Sequence, residues 1–197
     1  MKTYDMSLLT KKIYDSSVQM YTLKSLREIL AIEKESSLYK VLNRLVGNGV
    51  LKNIERDKYV LNKYSGSDFS LANFIYEPSY ISFESALSHY GILSQFPYEV
   101  TSATLKQTKS KEFNGRPYNF YRLKKELFWG YQKEDNYLIA EKEKALLDQI
   151  YLASKGIKLV HFDEYDLSHL DKKKIKLYLA RYQLTKKFKS LISALDL

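Results

Sequence analysis

An α+β fold is predicted by two changes of period along the chain. Apolar residues recur every three to four positions from Met6 to Val46, then alternate in the short stretches 50–54 and 59–61. A second set of alternating runs lies between Val100 and Ile139, and helical spacing returns from Ala140 onward. With 45% apolar and 28% charged residues among 197, the composition is that of a globular chain with length enough for a core.

Met6, Leu9 and Ile13 share one face of a first helix. Thr22 is placed to cap a second, in which Leu23, Leu26 and Leu30 point one way. Residues 31–35 have the length of a helix-turn-helix connector. A third helix is expected from Ser36 or Ser37, either able to cap it, to Gly47 and Gly49. Its buried stripe is Leu38, Val41, Leu42, Leu45 and Val46. Ser36, Lys40 and Asn43 fall nearly opposite, with Tyr39 and Arg44 on the flanks. Two strands at 50–54 and 59–61, joined at 55–58, are too short to stand alone and must lean on the helices. Lys52, Asn53, Arg56 and Lys58 cluster at or near the exposed tip of that hairpin.

Three short helices followed by a cationic hairpin describe an N-terminal winged helix-turn-helix over residues 1–64. In that arrangement the third helix enters the major groove and the hairpin reaches phosphate or the minor groove. Hydroxyl and amide groups suit base edges, and cations suit base acceptors or phosphates. The DNA-binding candidates are therefore Ser36, Ser37, Tyr39, Lys40, Asn43, Arg44, Lys52, Arg56 and Lys58. A polar outer face on a soluble helix and a winged fold serving only protein contacts are the plainer alternatives.

Residues 64–68, with Ser65-Gly66-Ser67, read as a linker to a mixed α/β domain at 68–197 that carries a small sheet and closing helices. A helix at 69–75 should end at Glu77-Pro78, and Ser82 should cap another running to Tyr90 and stopped by Gly91. Strands are expected at 100–105, 118–123, 127–131 and 137–139, with Asn114-Gly115 as a turn between the first two. A helix follows at 140–154, then a strand at 157–162, then closing helices near 171–181 and 184–195.

The formal charge of +9 favours an anionic partner. Residues 1–65 hold 12 Lys/Arg against 7 Asp/Glu, and residues 66–197 hold 20 against 16. Within 171–189 there are eight basic residues and one acid. Lys172, Lys173, Lys174, Lys176, Lys186 and Lys187 thus form a possible second basic surface, for phosphate, RNA or an acidic protein, on helices whose default is a solvated face.

No chemistry is legible. The chain lacks cysteine, and His89, His161 and His169 have no metal-ligand spacing, so neither metal nor cofactor is expected. Phosphate-binding glycine patterns and the G-x-S-x-G elbow are absent. Gly66-Ser67 lacks the paired carboxylates of a nucleotidyltransferase, Asp163-Glu164-Tyr165-Asp166 lacks the Gly-Ser turn, and no E-x-K occurs. Gln107-Thr108-Lys109 meets the looser nuclease pattern, with no aspartate within about thirty residues upstream. The expectation is no enzyme. In Ala140-Glu141-Lys142-Glu143-Lys144-Ala145-Leu146-Leu147-Asp148, Lys144 and Asp148 are one turn apart, as in an ordinary helix-surface pair. No apolar run reaches the roughly 18 residues of a membrane span, and the N-terminus lacks a signal-peptide core. A cytoplasmic location is expected.

The combined pattern resembles the AbiEi-type antitoxins of bacterial abortive-infection systems, across nearly the whole chain. It rests on LVGNGVLKNIERDKYVL, on EPSYISFESALSHYGILSQFPYEVTSAT and on AEKEKALLDQIY. The chain departs from the family at Asp57-Lys58-Tyr59, where many members place a glycine. The resemblance implies a DNA-binding transcriptional autorepressor and antitoxin of a type IV toxin–antitoxin system in phage defence. It further implies binding to double-stranded inverted repeats in its own promoter. It would counter a nucleotidyltransferase-like toxin without a stable complex. A monomer that binds DNA cooperatively fits that picture. The competing expectation is a non-enzymatic interaction module whose second domain captures an acidic partner or RNA.

Overall fold

The computed structural model describes residues 4–195, which fold as mixed α+β with eight α-helices and two sheets among them. The chain divides into two compact units, Met1–Ser67 and Asp68–Leu197.

In the first unit, helix α1 (Met6–Asp15) starts at Asp5, whose carboxylate accepts from the amides of Ser7 and Leu8 at 2.9 and 3.3 Å. Strand β1 (Met20–Thr22) runs straight into α2 (Leu23–Leu30). Thr22 ends the strand and also caps the helix, in a reciprocal box with Ser25. Ala31, at φ +54°, stops α2. Helix α3 (Glu35–Gly47) begins earlier than the serines suggested. Lys34 holds the N-cap position without a side-chain bond, and its carbonyl accepts from the amides of Ser37 and Leu38. Ser36 and Ser37 therefore lie in the first turn and cap nothing.

Strands β2 (Leu51–Glu55) and β3 (Lys58–Leu61) form the expected hairpin, and β1 adds to the far edge of β3 in an antiparallel sheet of order β1-β3-β2. The third strand escaped the sequence reading because three residues are too few to show a period. Leu9, Ile13, Leu26, Leu30, Leu38, Leu42 and Leu45 pack with Tyr21, Leu51 and Tyr59 in one core. Each such leucine or isoleucine contributes roughly 1.5–3 kcal/mol by leaving water.

The second unit is built on a six-stranded sheet of order β6-β7-β5-β4-β9-β8. Its chain order is α4 (Asp68–Ile75), β4 (Ser79–Ile81), α5 (Phe83–His89), β5 (Val100–Thr104), β6 (Lys109–Phe113), β7 (Arg116–Arg122), β8 (Tyr131–Glu134) and β9 (Tyr137–Ala140). Helices α6 (Lys142–Ser154), α7 (Lys172–Leu179) and α8 (Lys186–Ser193) follow. Pairs β5–β7 and β4–β9 are parallel, and the remaining pairs are antiparallel.

The second unit departs from the sequence pattern at several elements. Asn114-Gly115, with φ of +52° and +79°, closes the hairpin of β6 with β7; β5 lies parallel to β7 and is not its hairpin partner. Strand β6 was missed because Lys-Ser-Lys-Glu on a sheet edge carries almost no apolar signal. The strand expected at 127–131 is a 3-10 turn, Lys125–Leu127, and β8 starts only after Gly130 turns the chain at φ +70°. No strand forms at 157–162; Leu159 is exposed, and Phe162–Glu164 is a 3-10 turn. Ser82 stands at the N-cap position of α5, but its hydroxyl is committed to Asp148, and α5 ends at His89.

The pair Lys144–Asp148 is not on a surface at all. Both side chains are fully buried, as is almost every residue of α6. Among the described residues no helix is long and apolar enough to cross a membrane.

Candidate nucleic-acid interface

On α3 the apolar stripe Leu38, Val41, Leu42 and Leu45 faces the core, which turns Ser36, Lys40, Asn43 and Arg44 to solvent. Ser36, Lys40 and Asn43 are four and three residues apart, so they form one row along the helix. Ser37 and Tyr39 are half-buried beside that row, and Val46 is half-buried too.

The hairpin tip is a two-residue turn, Arg56-Asp57. Asp57 takes φ +59°, the left-handed conformation that a glycine would adopt freely, and short polar side chains are the other residues that tolerate it. The Asn53 amide braces the turn, donating to the carbonyls of Glu55 at 3.0 Å and Lys58 at 3.3 Å. A register irregularity between Asn53 and Glu55 sharpens the local twist. Arg56 projects fully, its side chain 93% exposed. Its Nε lies 3.7 Å from Asp57 Oδ2, an exposed contact of little energetic weight. Lys52 and Lys58 are half-buried along the strands and already take part in contacts of their own.

Two hydrogen bonds fix this tip to the helices. The amide of Leu23, at the start of α2, donates to the Asp57 carbonyl at 2.9 Å. The Tyr39 hydroxyl, from α3, donates to Asp57 Oδ1 at 2.7 Å. That donation to a carboxylate holds the phenol proton and pushes the Tyr39 pKa up to about 12. Tyr39, a candidate base or phosphate contact, therefore spends its hydroxyl inside the protein. Arg27 and Glu35 form a further exposed link, 3.5 Å long, across the turn between α2 and α3.

The C-terminal lysines are divided by the structure. Asp171 caps α7 by accepting from the amides of Lys173 at 2.8 Å and Lys174 at 3.2 Å, and Thr185 caps α8. Ile175 and Phe188 anchor the two helices in the core, leaving Lys172, Lys173, Lys176, Lys186 and Lys187 exposed. Lys174 does not join them. It is half-buried and lies 3.3 Å from both Glu141 and Glu143. Burial opposes its charge, and the hydrogen bonds and charges of those two glutamates more than offset that, raising its pKa.

The Lys144–Asp148 centre is sealed from solvent. Asp148 accepts from Tyr80, Ser82 and Tyr182, each at 2.9 Å, and forms a salt bridge with Lys144. Lys144 also donates to the Tyr80 hydroxyl at 3.1 Å and is surrounded by the rings of Tyr80, Trp129 and Tyr182. Burial lowers the Lys144 pKa despite the adjacent carboxylate. With both charged groups sealed from solvent, the cluster organises the interior of the unit. Among the described residues, no three His, Asp or Glu side chains are grouped to hold a metal ion.

No protein-family model matches the chain, and a search of curated proteins finds no match.

Proposed function

We propose that the first unit is a winged helix-turn-helix that binds duplex DNA, with α3 in the major groove and the β2–β3 hairpin on the flanking backbone. The carrying observation is the exposed row Ser36, Lys40, Asn43 with Arg44, held in fixed relation to the exposed Arg56 by the Tyr39–Asp57 bond. Lys52 and Lys58 add positive potential near the same tip. The protein as a whole is read as a transcriptional autorepressor and antitoxin of a type IV toxin–antitoxin pair. That wider role is supported by the resemblance carried by the helix-hairpin segment, the stretch from Glu77 to Thr104 and the α6 string.

Gel-shift titration on the DNA upstream of the gene, across a series of salt concentrations, tests this reading. Sequence-selective binding that weakens steeply with salt is expected, and the Lys40→Ala/Arg44→Ala double variant should lower the slope of log K against log salt by about 2. Equal affinity of wild type and double variant would remove the assignment.

A second reading is favoured by the exposed lysines of α7 and α8, which suit an acidic protein or RNA. Stoichiometric recovery of one such partner, together with no promoter binding at low salt, would favour it.

A further inference from the structure

Strands β5 and β7 run parallel and finish side by side, with Thr104 opposite Arg122 and the Leu123 amide donating to the Thr104 carbonyl at 2.9 Å. Just beyond their carboxyl ends lies a cleft of about 360 Å³, lined by Leu105, Arg122, Leu123, Lys124, Lys125 and Tyr151. Open sheets with parallel strands collect ligands in this position, and the volume lies within the small-molecule range. Leu123 is buried, and Tyr151, from α6, is only 8% exposed, so the two supply an apolar floor. Arg122, Lys124 and Lys125 stand exposed around it.

Three cations and no carboxylate line the cleft. Arg122 bonds to Thr108 through its backbone amide, and no carboxylate among the described residues pairs with its guanidinium or with Lys125. Lys124 lies 3.9 Å from Glu126, an exposed contact of little strength. Lys155 adds a fourth positive charge beside the floor, its Nζ 5.6 Å from the Tyr151 ring centroid. Positive charge therefore gathers at the mouth of a recess whose base is apolar.

We infer that this cleft binds a phosphorylated small molecule, its phosphate held by Arg122, Lys124 and Lys125 and its organic body laid over Leu105, Leu123 and Tyr151. Arg122 offers a planar fork that meets two phosphate oxygens at once, and the lysines add point charges. Three cations suit the dianion of a phosphate monoester better than the single charge of a carboxylate. The floor separates this ligand from a nucleic-acid backbone, which would use the projecting cations and leave the apolar base empty. The site lies apart from the duplex-binding face proposed for the first unit and does not rest on that reading.

Isothermal titration of the full chain at fixed ionic strength with phenyl phosphate, inorganic phosphate and benzoate tests the inference. Phenyl phosphate should bind saturably and most tightly, since inorganic phosphate lacks the apolar body and benzoate the second charge. Arg122→Gln/Lys125→Gln should weaken it at least about tenfold, the worth of one charge-assisted hydrogen bond, with the melting temperature unchanged because both side chains are exposed. Lys186→Gln/Lys187→Gln takes the same charge from α8 and should bind phenyl phosphate as wild type does. Lys40→Ala/Arg44→Ala should also retain it, which keeps this test apart from that of duplex binding. In competition, duplex DNA from upstream of the gene should not displace phenyl phosphate. Absence of saturable binding, benzoate or inorganic phosphate binding as tightly as phenyl phosphate, or equal loss in the two glutamine double variants would overturn the inference. Displacement by the duplex would also overturn it, by assigning the cations to nucleic acid.

Discussion

Tyr39, in the second turn of α3, donates a 2.7 Å hydrogen bond to Asp57 at the hairpin tip. The helix face and the hairpin are therefore not two independent surfaces. Asp57 reaches its partner because the turn places it in the left-handed conformation, at φ +59°.

Cutting that bond should loosen the pairing of the two surfaces without unfolding the unit. Tyr39→Phe and Asp57→Asn are each expected to weaken duplex binding by roughly fivefold, because part of the preorganisation is lost. Fluorescence anisotropy with a labelled promoter fragment measures this. Circular dichroism of both variants should match wild type.

The same bond sets a pH dependence. The Tyr39 phenol titrates at about 12 in the folded chain, against an ordinary value of 10. A raised tyrosine pKa means that the protonated form is favoured by folding. Its stabilising contribution is fully present below about pH 10 and is lost as pH rises through about 12. Ultraviolet titration of the phenolates, compared between wild type and Tyr39→Phe, should show one high-pH tyrosine missing from the variant. In Asp57→Asn that tyrosine should titrate lower.

Breaking the buried pair in α6 should be far more damaging than any surface change. Lys144→Met leaves the buried Asp148 without its lysine partner, at a cost of about 3–5 kcal/mol. Lys144→Met/Asp148→Leu removes both charges and should recover much of that loss, though Tyr80, Ser82 and Tyr182 then lose their common acceptor. Urea unfolding of the single and double variants gives the comparison.

Gly130 is tied to the same cluster. It sits at φ +70°, and a Cβ there would lie 3.1 Å from Lys144 Cγ. Gly156 has a similar φ of +73° with nothing within 4 Å. Gly156→Ala should therefore cost only the backbone strain, about 1–2 kcal/mol. Gly130→Ala should cost more, because the lysine it crowds is held by Asp148. Thermal melts of the two variants separate strain from crowding.

The sequence made some of this legible and hid the rest for definable reasons. The buried stripe of α3 and the hairpin at its end could be read because each spans enough residues to show a period, and Thr22 because its capping chemistry is local. Strands β1 and β4 are three residues each, too short for alternation to register. The expected strand at 157–162 failed because its apolar residues found no neighbouring strand to pair with. Lys144 and Asp148 look like any helix-surface pair until Tyr80, Trp129 and Tyr182, distant in sequence, arrive around them. An uninterrupted apolar run from Ala145 to Leu147, and again from Ile150 to Ala153, was the available sign that this helix has no solvent face. At the proposed interface, the outward row on α3 follows from the helical period. The partner of Tyr39 does not, because the contact spans 18 positions and depends on how the hairpin folds back.

Thr22 closes β1 and opens α2, and the next amide, that of Leu23, grips the Asp57 carbonyl. A force applied at Arg56 is thereby handed on to α2 with no slack segment between them. Under the proposed duplex binding, such a tip meets DNA already shaped. What docking must freeze is a handful of long side chains such as Lys40 and Arg56, at roughly 0.5–1.5 kcal/mol each, and not a loop.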